Sequence, residues 1–417
     1  MTKNRKMPLW LRRVFLIFTI LGPGLITASA DNDAPGIATY SMVGSAYGYR
    51  FLWVILAITV GELVVQEMAA RMGAVTGKGT GDLIRERFGV KVTTFSMFCL
   101  LLANLGTTVA QFAGIAAAGE LFGISKYISV VIAGIVMSVL ILRGGYNIVE
   151  KVLLVLCFAS LSYVFTVFII KPDWGEIAQA AIRPEVLLDR EYILALLAVV
   201  GTTITPWGIF YLQASIADKG VEMKRYKLTR MDVLFGASWG NIISAFIIIT
   251  TAATLYSRGI IVEDAKEAAL ALVPLAGEWS RLLFGIGLTG ASLLAISVLP
   301  LATTYAMCEA FGFERGLSRR MKEAPAFYTL FIAITVLSMA IVLVPGMPLF
   351  RIMILSQSLN AILIPILLIL VLILANDKRI MGTWKNTKLS NVLGVLITLL
   401  ITVTTIALLL APFLKAS

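Results

Sequence analysis

The chain of 417 residues contains no histidine, which removes imidazole from any proton relay it could build. Cysteine is nearly absent. Cys99, Cys157 and Cys308 lie far apart inside apolar runs, a pattern that excludes a disulfide framework and a metal-binding thiolate cluster. Charge is scarce too: 14% of residues are Asp, Glu, Lys or Arg, against 59% apolar, and the mean hydropathy is +0.91. Uncharged runs much longer than a buried helix of a soluble domain recur along the whole length, so the sequence reads as an all-α polytopic membrane protein.

Hydropathy places eleven spans near residues 14–47, 51–70, 92–121, 127–144, 149–171, 191–217, 233–256, 279–308, 326–345, 351–376 and 390–414. No short apolar region with a small-residue cleavage site precedes the first span, and residues 1–13 are expected to be a retained cytoplasmic tail. The 35 Lys and Arg concentrate in "KNRK", "RERFGVK", "KGVEMKRYKLTR", "RGLSRRMK" and "DKRIMGTWKNTK", which share one side when the N-terminus is inside. The net charge of +11 is therefore positive-inside bias, not a nucleic-acid footprint. The expected surroundings are a lipid bilayer, a plasma membrane of bacterial type, with the C-terminus outside and no obligate protein partner.

Two spans are interrupted where they should be driest. The first breaks at "DNDAPG", Asp31 to Gly36, and the sixth at "TTITPWG", Thr202 to Gly208. Proline removes an amide donor and glycine tolerates the dihedrals of unwound chain, so backbone carbonyls are freed at both places. Prolines kink membrane helices in any case, but a carboxylate two residues ahead of Pro35 does not belong to a simple kink. The breaks are five spans apart, an odd number, which gives the two halves opposite orientation. This divides the chain into a 14–376 core of two inverted halves and a 377–417 loop with an accessory eleventh span. There is no convincing residue-level repeat.

Asp33 is the leading candidate ligand. An intramembrane acid beside loosened backbone suits a cation, which supplies opposite charge while carbonyls complete an oxygen shell. No Lys or Arg falls in the middle of a span to neutralise it instead. Asp31, two positions earlier, points almost the opposite way and is assigned to the access path. Glu62 is deep. Glu67 and Glu309 lie near span ends, where Arg71 and Arg315 can pair with them, and Glu120 marks the far end of span 3. A membrane aspartyl hydrolase needs two carboxylates facing each other across helices, and no second deep aspartate meets that need, so no enzymatic role is expected and no cofactor beyond a transported ion.

The stretches "LGPGLITASADNDAPGIATYSMVGSAYG", "FLWVILAITVGELVVQEMAARMGAVTGKG" and "GTTITPWGIFYLQAS" resemble spans 1, 2 and 6 of the Nramp-type divalent metal transporters. The resemblance implies a LeuT-type 5+5 inverted repeat with an eleventh helix and broken helices 1 and 6. It places Asp33 at the family's metal-binding aspartate and the carbonyls of Ala30 and Thr202 where the family's backbone ligands arise. Gln357 matches a glutamine that closes on the ion, with Asn360 three residues along, and Gln66 holds a similar polar position.

The departures from the family pattern set the expected cargo. Gly36 replaces an asparagine, and Thr205, Pro206 and Trp207 stand where the family has Met-Pro-His. Thr108 and Gln111 replace the acids of the proton route, and span 9 carries none of the family's arginines. This is similar to the Nramp-related magnesium transporters. Thr205 and the freed carbonyls are hard ligands, and hard ligands with retained waters suit Mg2+, with Mn2+ beside it. The resemblance thus implies alternating access without proton coupling. Such uptake needs no proton, since a divalent ion gains about 4.6 kcal/mol per 100 mV of negative-inside potential. The alternative is a proton-coupled carrier of Mn2+ and Fe2+, and after it a carrier of organic cations or amino acids on the same fold.

Overall fold

In hydrocarbon every backbone N–H and C=O must be satisfied within its own segment, so the apolar runs become helices. The computed structural model describes residues 32–143 and 161–414, apart from 188, 222 and 318, and among the described residues there is no strand. In chain order the main helices are α1 (Ala34–Tyr47), α2 (Leu52–Thr76), α3 (Thr80–Leu121), α4 (Lys126–Arg143), α5 (Leu161–Ile170), α6 (Trp174–Ile182), α7 (Arg190–Thr203) and α8 (Pro206–Asp218). They continue with α9 (Tyr226–Thr254), α10 (Ala265–Leu270), α11 (Ser280–Phe311), α12 (Pro325–Leu343), α13 (Leu349–Asn376) and α14 (Lys388–Leu414). Nine stretches among the described residues are long and apolar enough to cross a membrane; Ala34–Thr76 holds both α1 and α2, and the shorter α5 completes the expected set. The first half of span 1, the start of span 5 and Cys157 lie outside the described residues. Cys99 and Cys308 are buried and free.

Helix ends differ from the sequence reading in two places. α2 runs on to Thr76, and α3 begins at Thr80 rather than near 92, bending at Gly89, whose φ of +75° a side chain would resist. Both interrupted spans restart in the same way. α1 opens behind an extended Asp33 with Pro35 in its first turn, and α8 opens behind an extended Thr205 with Pro206 as its first residue. Proline is harmless there because the first helical N–H groups have no intrahelical partner anyway.

Burial ranks the helices. In the α7–α8 span 83% of the apolar window is buried, against 22% in α14, so the broken span is central and the last helix peripheral. α3 is the mast of the bundle, packed along α11 and α13, while α1 packs on α9, α13 and α7.

Ion pairs gather at the end of the bundle where α2 meets α3. Glu309, at the end of α11, accepts the Gly81 amide at 3.2 Å and faces Arg315 at 3.5 Å, while Arg315 also reaches Asp82 at 2.5 Å. Glu67 faces Arg71 at 3.3 Å and accepts the Tyr226 hydroxyl at 2.5 Å. Both expected pairings are present. An acid at the first turn of α3 also complements the partial positive charge of that helix end.

Candidate metal site

Asp33 caps α1. Its Oδ1 accepts the Gly36 amide at 2.8 Å, and Oδ2 accepts from the Gln111 side-chain amide. The Gln111 Oε1 in turn accepts the Ala34 N–H at 3.2 Å. A continuous helix would give that N–H to the carbonyl four residues earlier, so Gln111 on α3 holds the break open from the side. Asp33 is 2% exposed, and its described partners are N–H groups rather than Lys or Arg.

The second break frees a carbonyl by covalent structure alone. Thr202 would give its C=O to the N–H of residue 206, which is proline and has none. The Thr202 hydroxyl is buried without a hydrogen-bond partner, and the Thr205 side chain does not cap α8. The two breaks are joined, because the hydroxyls of Tyr40 on α1 and Thr203 on α7 lie 3.0 Å apart.

One face of α3 organises the rest, through Thr107, Gln111 and Gly114 at helical spacing. Gln111 meets Asp33. One turn away the Asn360 amide donates to Thr107 at 3.0 Å and to Gln357 Oε1 at 3.1 Å. Gln357 and Asn360 are thus brought together as expected, fully buried, beside the Gly201 carbonyl at 3.5 Å from Asn360.

Other expected residues take different places. Gly36, placed at the metal site by position, donates its backbone N–H to Asp33. Gln66 donates to Glu62 at 2.5 Å, and Asn241 also donates to Glu62, which links α2 to α9. Trp207, placed by its position beside the ion or on its access path, is fully buried in the cluster that holds Leu294 and Val298, with its indole N–H unbonded. Thr108 bonds back to the Asn104 carbonyl at 2.7 Å. Ala30 and Asp31 lie outside the described residues.

Sequence reasoning counted Gln111 as a lost proton-route position and gave no sign that it clamps Asp33. No local pattern signals this, since the two are 78 positions apart. It also missed Asn32, which donates to the Gly240 carbonyl at 2.9 Å and accepts from Ser244 at 2.9 Å, tying the start of α1 to α9.

Clefts open at both ends of α3. One of about 330 Å³ is lined by Glu120, Glu263 and Asp264 but also by Lys266 and Arg351, so its charge is nearly balanced. The other, of about 390 Å³, is lined by Asp218, Glu309, Arg315 and Arg319. Neither is lined by Asp33 or Gln111. Asp33 is a buried carboxylate preorganised by N–H donors, and the second break frees a carbonyl at Thr202, oxygen chemistry that suits a hard or borderline cation.

The family described as natural resistance-associated macrophage protein-like, Nramp, matches residues 24–411. The divalent metal cation transporter MntH of Erwinia tasmaniensis is 29% identical over 393 residues, 92% of each chain. MntH of Caldanaerobacter subterraneus subsp. tengcongensis is 27% identical over 388 residues, 90% of this chain and 89% of that one. Among solved structures, the Eremococcus coleocola manganese transporter superposes with a TM-score of 0.75 at 20% identity, covering 93% of this chain and 85% of that one. The nucleobase-cation-symport-1 transporter Mhp1 superposes at 0.59 and 14%, covering 93% and 92%. The fold is therefore the two-halved transporter fold expected from the breaks.

Proposed function

The chain belongs to the Nramp family, and on that premise we propose that it carries divalent metal ions of the manganese class across a membrane by alternating access, with protons coupled to the movement. The carrying observation is Asp33, buried at the head of α1 and clamped by Gly36 and Gln111. In this reading Asp33 holds the ion, the Thr202 and Ala30 carbonyls, Thr205 and Gln357 complete its shell with water, and Asp31 lies on the access path. The N-terminus is cytoplasmic, the C-terminus outside, and cargo moves inward. The 14–376 core does the work and 377–417 is accessory.

This was the alternative of the sequence reading, and two things favour it over a magnesium uniporter. The relatives are named for manganese and for divalent metals. The expectation of uncoupled transport also rested on the absent histidine and on Thr108 and Gln111 in place of acids, yet Glu62 is 3% exposed against 2% for Asp33. A second buried carboxylate is available to carry one.

A second reading, Mg2+ without protons as in the Nramp-related magnesium branch, is favoured by Thr205, which puts a hydroxyl where the family has a sulfur. Vesicles containing the full chain and a lumenal pH dye, under clamped potential, separate the two. Mn2+ uptake should acidify the lumen in step with the metal. Voltage-driven Mg2+ uptake at constant pH, with Mn2+ excluded, would overturn the proposal. Thr205→Met should raise the preference for cadmium over magnesium about tenfold, equivalent to about 1.4 kcal/mol. An unchanged selectivity series would place the Thr205 side chain away from the ion.

A further inference from the structure

Where α3 begins and α13 ends, a cleft of about 680 Å³ is lined by Arg87 of α3 and by Leu372, Ile373, Asn376, Asp377 and Arg379. Its charges do not cancel. Arg87 pairs with Asp377 at 2.6 Å, and Asp377 Oδ1 accepts the Arg379 backbone N–H at 2.8 Å, but the Arg379 side chain makes no ion pair among the described residues. Lys91, one turn beyond Arg87 and past the bend at Gly89, is exposed as well.

These charges mark the edge of the hydrocarbon. No Asp, Glu, Lys or Arg follows Lys91 on α3 until Glu120, and none occurs on α13 between Arg351 and Asp377. From Lys91 the large residues Phe95, Phe98 and Leu102 follow at spacings of four, three and four on one face of α3, each of them exposed. On α13 Ile362, Ile366, Ile369 and Ile373 repeat the same spacing, and the last two are exposed in the same way. The stripes flank one seam, because residue 87 meets residue 373 in the cleft and residue 102 meets residue 359 in an apolar groove farther along the two antiparallel helices. Lys91 to Leu102 is a rise of about 16 Å, close to the depth of one leaflet, about 15 Å.

We propose that this cleft and seam hold an anionic phospholipid, with its phosphodiester on Arg379 and Lys91 and an acyl chain along Phe95, Phe98 and the isoleucines of α13. Basic groups at the membrane surface draw anionic headgroups, and an arginine fork fits phosphate oxygens. The apolar stripes give the chain a seat that a free anion could not use. α3 carries Gln111, which clamps Asp33, and α13 carries Gln357 beside Asn360, so a lipid lying across the seam holds together two helices that frame the candidate ion site. The inference does not depend on which metal is carried.

The test uses full-length protein in a neutral detergent, with thermal unfolding followed as phosphatidylglycerol, phosphatidylcholine or inorganic phosphate is added. Phosphatidylglycerol should raise the melting temperature saturably, and neither the zwitterionic lipid nor the free anion should do so. Lys91→Gln combined with Arg379→Gln leaves the Arg87–Asp377 pair in place and should need about tenfold more phosphatidylglycerol for half the effect. Arg320→Gln combined with Lys322→Gln removes the same charge from the α11–α12 connection and should respond as wild type does. Should the first pair of changes prevent folding, Arg379→Gln is read against Arg379→Lys, and only the lysine variant, which keeps the charge, should keep the response. A response unchanged by the loss of these charges, or weakened equally by the control pair, overturns the site. An equal rise with inorganic phosphate overturns the lipid in favour of a soluble anion, and every one of these results leaves the transporter reading intact.

Discussion

Asp33→Ala is expected to abolish metal uptake by reconstituted vesicles, and Asp33→Asn to come close to doing so while the protein stays folded. The alanine variant loses three things together. The Gly36 amide loses its cap, the Gln111 side chain loses its acceptor, and the ion loses the only acid carried by this group of residues. A lost cap costs about 1 kcal/mol of helix stability. Removing the charge opposite a buried ion costs about 3 kcal/mol or more, roughly a hundredfold in affinity. The charge term is the larger, and the asparagine variant keeps the cap, because its side-chain oxygen still accepts from Gly36, while its amide N–H groups now oppose those of Gln111. Uptake by Asp33→Asn near the wild-type rate would move the ion away from this carboxylate. A melting temperature for Asp33→Ala far below that of Asp33→Asn would show that the cap, not the charge, dominates folding.

Much of this was legible because membrane solvent enforces simple rules. Long apolar runs gave the spans, and Pro35 and Pro206 gave the restarts of α1 and α8, since a missing N–H leaves the same mark in any context. Glu309 and Arg315 could be paired from proximity in the chain. Residues whose meaning depends on a distant partner were not legible. Gln111 reads as an ordinary amide until α3 lies against the start of α1. Gln66 is a polar position in the sequence, and its bond to Glu62, which Asn241 also holds, shows only in the fold. Trp207 stands in sequence where the family has a histidine, and only the fold shows its indole packed in an apolar cluster with Leu294 and Val298.

Gly201→Ala should be the most disruptive single-methyl change in the core, lowering stability by about 3 kcal/mol, the upper part of the range for overpacking, and stopping transport in whatever protein survives. A Cβ at 201 would lie 2.0 Å from the Gln357 carbonyl oxygen and 2.9 Å from the Ala361 nitrogen. Both are backbone atoms of α13, so no rotamer change relieves the clash, and α7 must separate from α13. That separation carries the Thr202 carbonyl away from Gln357 and lengthens the contact from Asn360 to the Gly201 carbonyl, already 3.5 Å. In lipid, close approach through small residues is a main source of helix association, so the packing lost is not recovered elsewhere. Gly61→Ala serves as the comparison, because its Cβ would meet only the Ile397 side chain, at 2.6 Å, which can rotate aside. Thermal unfolding in detergent should place Gly201→Ala well below Gly61→Ala, and uptake in liposomes should be lost only in the former. Equal melting temperatures together with normal uptake by Gly201→Ala would mean that α7 and α13 do not touch through this glycine, and that the Thr202 carbonyl and Gln357 do not share an ion.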